Sequence, residues 1–92
     1  MMWLKKPRLT GKFGDSSISL LRESFAEYGV SIDEMEGARY LNSLKMDDID
    51  FVEAVQLVSK FTGAKIDVRN VGTTTTINEV VALIDTARRG SS

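Results

Sequence analysis

Met46-Asp47-Asp48-Ile49-Asp50-Phe51-Val52-Glu53 opens the most apolar stretch of the chain, and this segment decides the fold. It contains four carboxylates, and an apolar run follows it as far as Phe61. Acidic side chains are favoured at the first turn of a helix, where free N–H groups and the helix dipole attract negative charge. The pattern therefore predicts a helix from about Asp48 to Thr62, with Asp47 as the N-cap and Asp50 as its partner in a capping pair.

Composition indicates one small domain that lacks the usual catalytic groups. The chain has 92 residues, of which 42% are hydrophobic and 27% charged, as in ordinary globular proteins. It contains neither cysteine nor histidine, which removes disulfides, thiolate metal sites and the commonest general base. No apolar run approaches the roughly 18 residues that span a bilayer. We expect a soluble, non-enzymatic protein without a bound metal.

Charge is distributed unevenly along the chain. Residues 1–14 carry a net charge of +4, and residues 15–92 carry −5. The first segment shows no helical period, so we interpret it as a basic flexible arm, followed by a helical domain at 15–89 and a tail at 90–92. Such an arm is compatible with contact to a membrane surface, nucleic acid or an acidic partner. It lacks the apolar region of a secretory signal, which favours a cytoplasmic location.

Apolar periodicity predicts two further helices. One of about 13 residues begins at Asp15 or Ser16 and ends before Gly29, with Glu23 on its solvent side. The last helix begins at the capping box Thr76-Ile77-Asn78-Glu79 and ends before Gly90. The apolar positions of these helices are Ile18, Leu21, Phe25 and Tyr28 in the first, and Ile77, Val80, Val81, Ile84 and Ala87 in the last.

The connecting segments contain weaker signals. Ser31-Ile32-Asp33-Glu34 fits a capping box for a single turn that ends near Gly37, within a long loop pinned by Tyr40 and Leu44. Asp67–Val71 is compatible with one or two helical turns. We therefore predict an all-α bundle of three main helices and a short third helix. The second helix is apolar over most of its circumference, so we expect it to be the central one.

This order of features resembles that of an acyl carrier protein over about residues 16–87. That family is a four-helix bundle with three main helices, and its signature, Asp-Leu-Gly-x-Asp-Ser-Leu-Asp-x-Val-Glu after an aromatic or aliphatic residue, opens the second helix. The positions that match are Tyr40, Leu44, Asp47, Ile49, Asp50, Val52, Glu53, Gly63, Ile66 and Thr76-Ile77, while Lys45 replaces the glycine. The resemblance implies the same fold.

The chain departs from the family at the attachment site. The resemblance implies a serine that carries 4′-phosphopantetheine, and Asp48 stands at that position. A carboxylate cannot form the phosphodiester, so we expect no cofactor on this chain. One alternative is an authentic carrier whose serine was substituted at Asp48 or displaced to Ser43.

Because Asp48 stands in place of the serine, we interpret the chain as a non-loadable interaction module, and we expect a monomer. Its partner would be an enzyme of fatty-acid, polyketide or related acyl metabolism with a basic docking patch, and no nucleic-acid partner is expected. Another alternative is an unrelated acidic helical adaptor, and a plain helix cap without a partner is the simplest interpretation of the acids. The four carboxylates lack the spacing of an EF-hand, which argues against a calcium site. The predicted contact residues are Asp47, Asp48, Ile49, Asp50 and Glu53.

Overall fold

The computed structural model describes residues 8–31, 33, 35, 40–44, 46–69, 71 and 75–90. Over these ranges the chain forms three α-helices and no strand, which confirms the all-α prediction. The elements are α1 (Ser17–Glu27), a 3₁₀ turn (Leu41–Ser43), α2 (Asp48–Thr62) and α3 (Ile77–Gly90). None of the helices in the described ranges is long and apolar enough to cross a membrane.

The ends of the helices follow the local signals in the sequence. The hydroxyl of Ser16 accepts a hydrogen bond of 3.2 Å from the N–H of Ser19 and caps α1. Gly29 follows α1 with a φ of 89°, and Gly63 ends α2 with a φ of 76°. Both angles lie in the left-handed region that favours glycine, so the predicted stops are confirmed. α1 has 11 residues, slightly fewer than expected.

The predicted short third helix is not confirmed. Within residues 63–69 and 71 there is a single turn, in which the N–H of Val71 donates to the carbonyl of Val68 at 3.1 Å. Asp67 accepts bonds from the N–H of Arg69 at 2.9 Å and from its guanidinium at 2.8 Å. Hydrogen bonds from Arg69 lower the pKa of Asp67 to about 2. Local bonds of this kind compete with helix formation and favour a turn.

The turn predicted after Ser31 is only partly described. Asp33 and Met35 are helical, and the N–H of Met35 donates to the carbonyl of Ser31 at 3.1 Å. This is the i to i+4 bond of one α-helical turn. The remainder of the predicted turn, as far as Gly37, lies outside the described residues.

The centre of the core is α1, and the prediction that α2 would be central is wrong. α1 packs against both α2 and α3. α2 buries mainly the face that meets α1, and Ile49 and Val52 on its other side are exposed. Phe61 continues the buried face into the last turn, but there it is 42% exposed. Phe25 and Phe51 join the two helices edge to face, with ring centroids 6.2 Å apart. The buried core consists of Leu9, Leu20, Leu21, Phe25, Val30, Met35, Leu44, Ala54, Val58, Ile77, Val80 and Ile84.

Residues 9–14, part of the segment expected to be a flexible arm, pack against the helical domain. We call them the N-terminal strap. Leu9 lies in the core. The N–H groups of Thr10 and Gly11 donate to the carboxylate of Glu23 at 2.7 and 2.9 Å, and the hydroxyl of Thr10 adds a bond of 3.1 Å. The expectation that Glu23 faces solvent is therefore wrong: its side chain is 1% exposed, because the strap covers that face of α1.

The capping box at the start of α3 forms as predicted. The N–H of Glu79 donates to the hydroxyl of Thr76 at 3.1 Å, and the N–H of Thr76 donates to the carboxylate of Glu79 at 2.8 Å. The bonds from Thr76 hold the pKa of Glu79 below its usual value. Two N–H groups that the helix itself cannot satisfy are paired in this way.

Replacement of Thr76 by alanine is expected to lower the free energy of unfolding by about 1 kcal/mol, because the N–H of Glu79 loses its acceptor. In a domain of this size that loss corresponds to a melting temperature about 4–8 °C lower, which thermal unfolding followed by circular dichroism can measure. Asn78→Ala, at an exposed position in the same turn, is the control and should change stability by less than about 0.5 kcal/mol. Equal losses in both variants would contradict a specific role for the cap.

Candidate functional site

The start of α2 is capped by the side chain of Asp47. Asp47 has an extended backbone, and its carboxylate accepts a bond of 2.8 Å from the N–H of Asp50. The carbonyl of Asp47 accepts the first helical bond, from Phe51 at 3.0 Å. The predicted N-cap is thus confirmed. Asp48 is the first helical residue, and with Asp50 it places negative charge in the first turn, where the helix dipole favours it.

The predicted contact residues all lie at this end of α2, and most of them are exposed. Asp47, Asp48 and Glu53 are exposed, and Asp50 is half-buried. Ile49 is 70% exposed and Val52 is 37% exposed. Residues three and four positions apart share one face of a helix, so the side chains at 49, 52 and 53 are neighbours. The arrangement is an exposed apolar pair surrounded by carboxylates, which we call the acidic–apolar surface (residues 47–50, 52 and 53).

Tyr28 belongs to the surroundings of this surface, although the sequence did not indicate it. Tyr28 follows the last residue of α1, and its hydroxyl donates to the carboxylate of Glu53 at 3.3 Å. Burial raises the pKa of Tyr28, and the negative charges of Glu53, Asp50 and Glu27 raise it further. A tyrosine on the apolar face of a helix usually has a hydrogen-bond partner for its hydroxyl, so the sequence could indicate that a partner exists. It could not indicate which residue, because Glu53 lies 25 residues away along the chain.

The loop before α2 is anchored at the two predicted positions, by the side chain of Leu44 and by the backbone of Tyr40. Leu44 is buried in the core. The side chain of Tyr40 is exposed, and its backbone is held instead by an isolated antiparallel bridge to Thr76. Ser43, the alternative attachment residue, is exposed in the 3₁₀ turn, and its N–H donates to the carbonyl of Tyr40 at 3.0 Å.

The residues at the start of α2 do not fit a covalently attached phosphopantetheine arm. The family position is occupied by the exposed carboxylate of Asp48, which offers no hydroxyl for a phosphodiester. Over the ranges that the structure describes, no three acidic side chains are placed to hold a metal ion together.

Comparison with known proteins neither supports nor contradicts the resemblance to acyl carrier proteins. No protein-family model matches the chain, and no curated protein or solved structure gives a significant match. The resemblance therefore rests on the residues in register from Tyr40 to Glu53 and on the helical context around them.

Proposed function

We propose that this chain is a carrier-protein-like interaction module that docks on an enzyme of fatty-acid, polyketide or related acyl metabolism. In this proposal the module is a cytoplasmic monomer without catalytic activity. The single observation that carries it is the acidic–apolar surface, in which Ile49 and Val52 stand exposed among four carboxylates. The carrier-like register of the same residues indicates the class of partner.

The physical chemistry of the acidic–apolar surface suits a docking contact. A side chain as exposed as Ile49 gains free energy when a partner removes it from water. Binding interfaces commonly combine such an apolar centre with a polar rim, and the rim here carries one sign of charge. Complementary charge increases the rate of association and selects the partner. The surface therefore favours an enzyme that presents a basic patch around a small apolar pocket.

In this proposal, the module cannot carry a phosphopantetheine arm. Asp48 retains a negative charge where the family would carry a phosphodiester, and it does so without a transferable arm. A partner that recognises the protein surface can bind such a module, whereas a step that requires the thiol arm cannot proceed on it.

A competition assay tests the proposal. The module is expected to inhibit the modification of an authentic acyl carrier protein by a broad-specificity pantetheinyl transferase, because both proteins present the same docking surface. Ile49→Ser and Glu53→Lys should each raise the concentration needed for half-inhibition about tenfold, since each removes a central contact. Inhibition should also weaken as salt is raised, because the attraction between exposed charges is screened.

Asp67→Lys is the matched control for Glu53→Lys. Both changes reverse an exposed carboxylate, but Asp67 lies in the loop beyond α2 and outside the acidic–apolar surface. This variant should inhibit as the unchanged chain does. Absence of inhibition by the unchanged chain, or equal weakening by all three variants, would contradict docking through the start of α2. Circular dichroism of each variant excludes loss of inhibition by unfolding.

A further inference from the structure

A second exposed surface lies at the opposite end of α2. Phe61, in the last turn of the helix, is 42% exposed, and Phe13 in the N-terminal strap is also 42% exposed. Lys12 and Lys60, which precede these rings in the sequence, are exposed. We call these four residues the basic aromatic patch.

The N-terminal strap holds the patch together. The N–H of Gly14 donates to the carbonyl of Gly11 at 2.9 Å and closes a turn with Lys12 and Phe13 at its centre. The turn lies against α2: a Cβ at Gly11 would be 3.4 Å from Cζ of Phe61, and the φ of Gly11 is +78°. The ammonium of Lys12 lies 5.5 Å from the centroid of the Phe13 ring.

The position of the strap is fixed by the buried carboxylate of Glu23. The carboxylate of Glu23 accepts the bonds from Thr10 and Gly11, directly before the turn. Burying a carboxylate is costly unless hydrogen bonds satisfy it, and here they do. The ring of Phe13 and the ammonium group of Lys12 are therefore presented to water by a well-anchored segment that lies against Phe61.

The local charge of the patch is positive. Neither Lys12 nor Lys60 forms a salt bridge with another described residue, and Arg8 next to the strap is also exposed. Asp15, which follows the strap, and Glu23, which bonds to it, are nearby acids. Arg88, whose guanidinium donates to the carbonyl of Asp15 at 2.8 Å, adds a further cation. The acids at the start of α2 are about 20 Å away along the helix. That distance exceeds the screening length of roughly 8–10 Å in physiological salt.

We propose that the basic aromatic patch binds the surface of an anionic lipid membrane. Aromatic rings are favoured at the boundary between headgroups and acyl chains, and lysine side chains place their ammonium groups among the headgroups. Each lysine near an anionic leaflet adds attraction of its own. Residues 1–7, which precede the described chain, continue the same composition in sequence with Trp3, Leu4, Lys5 and Lys6.

The shape of the positive region favours a membrane over a nucleic acid. Single strands are bound by basic grooves that follow several successive phosphates. The described cations here lie in the strap turn and in the last turn of α2, at one end of a domain that carries −5 over residues 15–92. A flat anionic surface requires only one such area, and it tolerates the acids at the far end because salt screens them.

Co-sedimentation with vesicles tests the proposal. The full chain is expected to bind vesicles of phosphatidylcholine with phosphatidylserine, to bind vesicles of phosphatidylcholine alone much more weakly, and to dissociate at high salt. Lys12→Gln and Lys60→Gln should each lower the partition coefficient about fivefold. Phe13→Ser should lower the partition coefficient about tenfold, because the variant has no aromatic ring to transfer from water into the membrane.

Two variants serve as matched controls. Arg69→Gln removes one positive charge that already pairs with Asp67 at 2.8 Å, and Ile49→Ser removes an exposed apolar side chain at the other end of α2. Both should bind as the unchanged chain does. Lack of binding, equal binding to neutral vesicles, or equal losses in the controls would overturn the proposal. So would lysine-dependent binding to a single-stranded oligonucleotide without binding to vesicles. Lys12→Gln and Phe13→Ser should leave the transferase competition unchanged, so the two proposals fail or succeed separately.

Discussion

Replacement of Glu23 by alanine is expected to lower the free energy of unfolding by about 3 kcal/mol, because hydrogen bonds to a buried charge contribute about 1.5–3 kcal/mol each and some of that free energy returns through hydration. The carboxylate accepts three bonds from Thr10 and Gly11 and is almost completely buried. Without it, the two N–H groups gain water as a partner only if the strap leaves the domain and exposes Leu9. Urea unfolding measures the loss.

Glu27→Ala is the control for this substitution. Glu27 lies one turn further along α1 and is exposed, so its removal should change stability by less than about 0.5 kcal/mol. Glu23→Gln should fall between the two, since an amide keeps one acceptor oxygen but turns its NH₂ group towards the donors of the strap. Equal losses in the Glu23 and Glu27 variants would show that the strap does not depend on this carboxylate.

The pH dependence of unfolding provides a second measurement of the same contact. Burial raises the pKa of Glu23, but the hydrogen bonds from Thr10, Gly11 and Lys12 outweigh it, and the pKa lies below its ordinary value of 4.5. The stabilisation by Glu23 is therefore fully present above pH 4.5 and is lost as the pH falls through the lower value in the folded protein. The unchanged chain should lose more stability on acidification than Glu23→Gln does.

The sequence predicted those parts of the fold that depend on neighbouring residues. The bounds of α2 and the caps at Asp47 and Thr76 each depend on residues within four positions, and each is confirmed. Glu23 depends on donors 12 and 13 residues away, so its place in the helical period gave no sign of burial. A carboxylate on an amphipathic helix is ordinarily a solvent-facing residue.

The exposed faces of α2 show a different limit of sequence reasoning. Apolar residues around a whole helix indicate contact on several sides, but the contact can come from the same chain or from a partner. The structure leaves Ile49 and Phe61 in water at opposite ends of α2, so these residues are candidates for external contacts. Their identity as apolar residues was evident from the sequence. Their exposure depends on which elements cover α2, and only the tertiary structure shows that.

The location of the acidic–apolar surface was predictable, but one of its neighbours was not. The register with the carrier family placed the contact residues at a helix start, and the helix does begin there. Tyr28 joins α1 to Glu53 through a contact that depends on how two helices pack.

Introduction of a serine at position 48 is expected to convert the chain into a substrate for modification. In Asp48→Ser, a broad-specificity pantetheinyl transferase with coenzyme A should add about 340 Da to the intact mass, the mass of the phosphopantetheine arm. The hydroxyl would stand exposed at the first residue of α2, since Asp48 is exposed there and Asp47 remains as the cap. Phosphate at a helix N-terminus is also favoured by the free N–H groups. The unchanged chain should gain no mass.

Asp50→Ser is the matched control, because it places a hydroxyl in the same acidic turn but two residues out of register. It should gain no mass, whereas modification of both variants would mean that the enzyme accepts any serine near the helix start. A gain in the unchanged chain that Ser43→Ala abolishes would identify a displaced attachment site on the exposed 3₁₀ turn. If Asp48→Ser stays unmodified although its circular dichroism is unchanged, the chain has the helix cap of a carrier but not its recognition surface. An acidic adaptor would then be the better interpretation of the start of α2, because the charge and the exposed Ile49 need no carrier function to attract a basic partner.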